Sequence, residues 1–454
     1  SGDQTLAISN TSNSYTGTTT VSGGTLVAGS DNALGATSEL VLQDTTGFDL
    51  NGKTQTLGSL SGAAGSTLNV NSGNLTLSQG GQSEGALTGA GNLTVNDGSL
   101  TVSGANTGLS AAVILNNTAQ AVLDDVAGLG TGSVNLNGAG TGVQLTGATG
   151  TLANALSGTG SASVLGSSDV LLSGNNSGFS GHYVVDNTSN LTASTAQNLG
   201  SASISNDGAL TLNSGTDWTF TNVVSGSGVL EKAGSGNITL ASANTFTGGT
   251  TLSAGTLTLT NAQGIGTGPA TVAAPGTLAI NLTNGTFSNA IDNSGLLTVS
   301  GAGNQLSSAI SGSGTNRISA TGLNITGDNS GFGGAWDLTA DSSSTVTSAQ
   351  NLGAGNALLN GTLNVAPASG NFAFTNALTG QGAMNVAMAT ATDRFSFGAG
   401  SGNAFAGQVS LGQGAFQLFG ADTLALTHAT LQNQSANMTV GAGTQNIGNL
   451  VMNG

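Results

Sequence analysis

The sequence predicts an all-β solenoid, a stack of coils built from short strands, and three observations carry that prediction. Short runs alternate apolar and polar residues between small turn residues, as in Thr67-Leu68-Asn69-Val70 and Ala209-Leu210-Thr211-Leu212, which is the pattern of half-buried strands. Marker motifs recur along the length of the chain, the mark of a repeat architecture. One interval between markers is longer than the rest by about one coil, and the pattern resumes in phase beyond it.

Composition sets the bounds. By length alone the chain would make roughly two to four ordinary domains. Its 76 Gly, 5% charged residues and 3 Pro argue against that. Disorder would require low hydrophobicity with high net charge or Pro enrichment, whereas 37% of this chain is apolar. No segment sustains a helical period over twelve residues. Four bases (Lys53, Lys232, Arg317 and Arg394) against 20 acids give a net charge of −16. Nucleic-acid binding needs many phosphate-neutralising cations and is excluded on that ground. An anionic bilayer surface would repel the chain, and no apolar run is long enough to insert into a bilayer. With 0 Cys there are no disulfides or thiolate metal sites.

Three markers organise the chain. The first is an apolar residue followed by a Gly-x-Gly turn, starting at Leu87, Leu156, Val224, Ile310 and Leu378, at intervals of 69, 68, 86 and 68 residues. The second joins an Asn to an apolar or aromatic residue and a small pair, at Tyr15, Leu109, Phe179, Phe246, Phe332 and Phe405. The third follows the Asn by 21 to 23 residues, at Leu34-Gly35, Leu129-Gly130, Leu199-Gly200, Ile265-Gly266, Leu352-Gly353 and Leu424-Ala425. Inside the 86-residue interval, Phe287-Ser-Asn-Ala-Ile291 and Leu306-Ser-Ser-Ala-Ile310 repeat at a spacing of 19. One extra coil inserted there is tolerated only by an architecture that grows by stacking. With strands about 4.8 Å apart between coils, about twenty coils form one elongated domain over residues 1–454. An array of β-sandwiches, the rival reading, would need hairpin signals and would not predict the in-phase insertion.

The fullest copy runs Glu231-Lys232-Ala-Gly-Ser-Gly-Asn-Ile-Thr-Leu240, Ala243-Asn-Thr-Phe-Thr-Gly-Gly-Thr-Thr-Leu252 and Ala254-Gly-Thr-Leu257, with a second at Ser14-Tyr-Thr-Gly-Thr-Thr-Thr-Val21 and Gly24-Thr-Leu26. These segments resemble the autotransporter-associated β-strand repeat of passenger domains in Gram-negative type V secretion, particularly adhesins of the AIDA and self-associating group. The resemblance implies a right-handed parallel β-helix displayed at the bacterial cell surface. It also implies a precursor with a signal peptide before Ser1 and a translocating β-barrel after Gly454. Thr444-Gln-Asn-Ile-Gly-Asn-Leu450 resembles Thr54-Gln-Thr-Leu-Gly-Ser-Leu60, which leads into a further coil.

Catalytic patterns are weak. A serine triad needs a His, and His182 and His428 lack an adjacent acidic pattern. Glycoside hydrolysis needs two carboxylates placed together. The adjacent pair Asp124-Asp125 would point to opposite strand faces or sit solvated at a corner. The chain reads as a non-enzyme without metal or cofactor, with a carbohydrate-active enzyme as the third alternative.

Parity then divides each strand. Val21, Val185, Leu252, Leu338 and Leu411 face the core, and Thr19, Tyr183, Thr250, Trp336 and Val409 share that parity. The same alternation buries Trp218 and Phe220 in alignment with Phe372 and Phe374, and the aromatics after each marker Asn are expected to form an internal stack. The opposite parity (Thr18, Thr20, His182, Val184, Thr251, Asp337, Gln408, Ser410) faces solvent. Where copies diverge on that parity and at the coil corners, His182, Asp186, Asn187, Asp328, Asp337 and Asp341 are the candidate ligand-binding residues. The partners expected are host extracellular-matrix glycoproteins or glycans, with glycosaminoglycans among them. The alternative is homotypic self-association of neighbouring cells into aggregates or biofilm.

Overall fold

A computed structural model describes residues 4–398, 404–418, 426–434, 436–440 and 447–453. Its strands are 2 to 7 residues long, and each pairs in parallel with strands one turn away, as in Leu6↔Leu26 and Leu257↔Leu278. The turns stack as a β-solenoid, about 21 of them in all, with almost no helix. The chain divides into two compact units, Ser1–Ser214 with Thr221–Val229, and Gly215–Phe220 with Leu230–Gly454.

In each unit successive strands fall on three faces in rotation, as in Gly73–Leu77, Gly80–Ser83 and Ala86–Thr88 before Gly91–Val95 returns to the first. The register places like on like: Asn74 on Asn92, Leu75 on Leu93, Thr76 on Thr94 and Leu77 on Val95. The Leu and Val columns are buried, because a period of two sends alternate side chains to opposite faces and the narrow interior accepts only one set. The extra coil is present as well. Phe287 pairs with Leu306, and Ile291 with Ile310, one 19-residue turn apart.

The markers are where sheets stop and restart. In the first unit a five-stranded sheet ends with Ala86–Thr88 and is carried one turn further by an isolated bridge from Gly89 to Leu109. The Leu129-Gly130 corner takes the place of a strand in the next turn, and a new sheet opens with Thr149–Leu152. The second unit repeats the sequence of events: Ile310–Ser311 ends a sheet, Gly312 bridges to Phe332, Leu352-Gly353 forms the corner, and Phe372–Phe374 opens a four-stranded sheet.

The first glycine of every Gly-x-Gly marker has a positive φ: 90° at Gly89, 93° at Gly158, 107° at Gly226, 95° at Gly312 and 101° at Gly380. At Gly312 an added Cβ would also run into the carbonyl of Asn293 in the turn before. Both constraints select glycine.

Alternation places the core as expected. Tyr183, Trp336 and Val409 are fully buried, with Val21, Val185, Leu252, Leu338 and Leu411 beside them, and Thr19 is half-buried. Three departures have physical causes. The marker aromatics do not stack on one another, since their copies lie turns apart; two of them instead meet an aromatic of their own turn edge-on, Phe179 with Tyr183 at 5.0 Å and Phe332 with Trp336 at 5.5 Å. A true stack occurs elsewhere, through Phe372, Phe395 and Phe416. Trp218 is half-buried. Its register partner, Ile238, is too small to cover an indole, whereas Phe372 lies on Phe395. On the outward parity His182, Val184, Asp337 and Ser410 are half-buried, because strands above and below cover part of each side chain. Leu424-Ala425 and Thr444 to Asn446 lie outside the described residues.

The glycine constraint gives a paired prediction. Gly312→Ala should lower stability by about 1–3 kcal/mol. Gly333→Ala, where nothing lies within 4 Å of the added carbon, should leave the thermal midpoint unchanged by circular dichroism.

Candidate functional site

The six residues singled out from the sequence fall three in each unit. His182 lies on strand His182–Val185, half-buried, its Nδ1 2.8 Å from the Ser203 hydroxyl of the next turn. Asp186 and Asn187 form the corner that follows. The Asp186 carboxylate accepts hydrogen bonds from the main-chain N–H of Gly166 (2.7 Å) and from both the N–H and hydroxyl of Thr188 (3.1 and 3.0 Å). Burial pushes its pKa up, but the hydrogen bonds from Ser189, Gly166 and Thr188 outweigh that and bring it down to about 2. It is a corner cap, as Asx residues at turns commonly are.

Asp328 caps its own turn through Ser330 N–H at 3.0 Å and lines a groove of about 250 Å³ with Asp292, Ala290 and Ile310. Asp337 stands on strand Ala335–Leu338 and is engaged by Arg317 of the preceding turn, Nε to carboxylate 2.8 Å. Asp341 is exposed at the next corner. Asp124 and Asp125 also cap a corner, through Gly104 N–H and Ala127 N–H. Among the described residues no three His, Cys, Asp or Glu side chains are grouped so as to hold a metal ion, and no helix is long and apolar enough to cross a membrane.

The strongest polar chemistry lies inside. The marker asparagines Asn106, Asn176, Asn244 and Asn329 are buried, and three of them tie three successive turns together. The side-chain oxygens of Asn106, Asn176 and Asn329 each accept the main-chain N–H of the turn before (Leu87, Leu156 and Ile310) at 2.7 Å. Their amide groups donate to carbonyls of the turn after: Gly128 at 2.9 Å, Asn198 at 2.6 Å and Asn351 at 2.6 Å. A second ladder had a sequence signal that was not read, an Asn two residues before an apolar marker residue. Asn154, Asn222, Asn289 and Asn376 each donate to two carbonyls of the preceding corner, for example Gly353 (3.0 Å) and Gly355 (2.7 Å) from Asn376. Tyr183 and Trp336 complete the network with bonds to the carbonyls of Asn198 (3.3 Å) and Leu352 (2.9 Å). Burial raises the Tyr183 hydroxyl pKa, with the Asn176 hydrogen bond opposing it.

Lys232 is fully buried at an inward position. Its Nζ donates to the carbonyls of Ala233 (2.9 Å), Gly234 (2.8 Å) and Ala254 (3.1 Å), filling all three of its donor positions. Burial lowers its pKa, and the charge of Asp217 opposes the shift. The lysine therefore closes a corner of the scaffold.

Comparison with known proteins agrees with this geometry. A parallel solenoid of repeated turns with polar ladders inside its corners is a repeat scaffold. The passenger-associated-transport-repeat family model matches residues 1–28 and 230–259, the second of which contains Lys232, Asn244 and Phe246. These repeats on a β-solenoid fit an autotransporter passenger domain. Over 246 residues, 54% of the chain, it is 40% identical to the uncharacterized lipoprotein YdeK of Escherichia coli (strain K12). Over 253 residues, 56% of the chain, it is 39% identical to the uncharacterized protein YuaQ of the same strain. The matched stretch spans only 18% of the length of each relative. No solved structure matches the chain.

Two predictions follow from the hydrogen bonds. Asn329→Ala leaves a buried N–H and a buried carbonyl without partners and should cost about 2 kcal/mol or more, while Asp328→Ala, its exposed neighbour, should cost less than about 0.5 kcal/mol; chemical denaturation of the two variants checks the contrast. The Asp186 carboxyl has a folded pKa of about 2 against an ordinary 3.8. Its contribution is therefore complete above the ordinary value and is lost as pH falls through the folded one. Asp186→Asn should flatten the dependence of the thermal midpoint on pH between about 4 and 2, modestly, because the group is exposed.

Proposed function

We propose that the chain is a non-catalytic adhesive passenger, displayed at the bacterial surface, that attaches to host extracellular-matrix glycoproteins or glycans through polar outer faces. The observation that supports this reading is the outward register. Asn96, Asn116 and Asn137 of successive turns are joined amide to amide at 3.0 Å, and Asn324, Thr345, Asn364 and Asn385 form another column. Such faces repeat the same neutral donors and acceptors turn after turn. Contacts that are weak singly then sum along an extended ligand.

Surface display is supported by the passenger repeats and accords with the word lipoprotein in the name of one relative. Charge narrows the ligand. With Lys232 inside, the three remaining cations face 20 acids, so a sulfated or uronic glycan would have to overcome repulsion.

The test is a binding screen of the purified chain on immobilised matrix proteins and glycans, paired with analytical ultracentrifugation. A monomer with saturable binding to a matrix protein or glycan is expected. A concentration-dependent dimer without such binding would replace this reading with self-association, and steady polysaccharide turnover would overturn both.

A further inference from the structure

Three cavities of similar size occur at the same marker. One, of about 480 Å³, is built around Leu34-Gly35 in the first unit. The second unit has one of about 430 Å³ at Ile265-Gly266 and one of about 550 Å³ beside Leu352-Gly353. Their sizes fall within the usual range of small-ligand sites, about 300–1,000 Å³.

The recurrence has a structural cause. At these corners a bulged turn stands where a strand would be, and the next strand on that face opens a new sheet: Thr54–Leu57, Thr286–Phe287 and Phe372–Phe374. Each missing strand leaves a recess between the projecting turn and the strand one turn on.

The lining has one chemistry. No charged side chain lines any of the three. The Ile265 recess presents Asn261, Gln263, Thr267, Thr286 and Ser288, and the Leu352 recess Thr347, Ser348, Gln350, Ser369 and Asn371. Most of these side chains are exposed. Some are already engaged, Ser348 with Gln350 and Asn371 with the main-chain N–H of Arg394, and the Ile265 recess adds Gln263, Thr267, Thr286 and Ser288 at exposed positions. Hydroxyl and amide groups both donate and accept, which suits the vicinal hydroxyls of a sugar.

We propose that the marker corners at Leu34-Gly35, Ile265-Gly266 and Leu352-Gly353 are repeated binding recesses for a neutral, hydroxyl-rich glycan chain. This assignment rests on the adhesive reading and places it at the breaks in the sheets. The six candidates taken from the sequence lie outside these recesses. The Ile265 and Leu352 recesses open on different faces of the second unit, where Thr286–Phe287 and Phe372–Phe374 begin different sheets, so each takes its own glycan segment, and neutrality of the lining favours uncharged sugars over sulfated or uronic ones.

The experiment compares wild type with Gln263→Ala/Thr286→Val, Gln350→Ala/Ser369→Ala and the combination of all four. Surface plasmon resonance would be run on immobilised glucose, mannose, galactose and N-acetylglucosamine oligosaccharides, with heparin as the anionic comparator. Circular dichroism would verify that each variant retains the wild-type spectrum and melting midpoint. The expected result is neutral-oligosaccharide binding by wild type, a loss in apparent affinity for each double variant, a larger loss for the combination, and no change for Asp337→Asn. Undiminished neutral-glycan binding by the four-fold variant, or wild-type binding to heparin or a matrix protein but to no neutral oligosaccharide, would overturn the recess assignment while leaving adhesion standing. Absence of binding to any glycan or matrix protein would overturn adhesion itself.

Discussion

Where a parallel sheet stops, the main-chain N–H and C=O groups of its last strand lose the partners that the next turn would have supplied, and buried groups of that kind are costly to leave unmade. In this protein side-chain amides take over. Asn329 accepts the N–H of Ile310 in the turn where one sheet ends and donates to Asn351 in the corner that replaces the missing strand. Asn376 then reaches back to Gly353 and Gly355 from the turn in which the new sheet opens. The interruption is satisfied on both sides, and the same arrangement recurs in the first unit with Asn106 and Asn154.

This use of asparagine bears on where function resides. A solenoid with continuous sheets presents flat faces on which outward side chains bond mainly to one another. Breaking a sheet for one turn creates relief, provided that the backbone opened by the break stays paired. The buried amides therefore hold the corners in shape, and the exposed hydroxyls and amides around those corners are free to vary. Lys232 belongs to the same category as the asparagines. It is a polar group turned inward to three carbonyls, and its place within the matched repeat reflects its part in the scaffold.

Much of the scaffold was legible in the chain itself. Strand parity buried Trp336 and Tyr183 in advance, and the 19-residue echo of Phe287-Ser-Asn-Ala-Ile291 revealed an added coil. The outward columns and corner caps were legible as classes of position, but their bonding was not. Alternation puts Asp337 outside without saying that Arg317 stands directly beneath it, because register between turns depends on loop lengths throughout the coil. Trp218 shared the parity of Phe372, yet its exposure depends on the size of Ile238 in the neighbouring turn. The second asparagine ladder was present as Asn-Ala-Leu, Asn-Val-Val or Asn-Ala-Ile at Asn154, Asn222, Asn289 and Asn376. Its role appears only once the corner carbonyls of the previous turn are seen above it. The recesses were not legible for the same reason: the Leu-Gly or Ile-Gly marker flags each corner, but that a strand is missing there shows only when the turns are stacked.

The central claim is that one buried amide couples three successive turns. Hydrogen–deuterium exchange of Asn329→Ala against wild type, followed by mass spectrometry, tests it most directly. The account predicts faster exchange in peptides covering both Ile310 and the Ala349–Leu352 corner, with little change in more distant turns. Faster exchange confined to the peptide that contains residue 329 would contradict it.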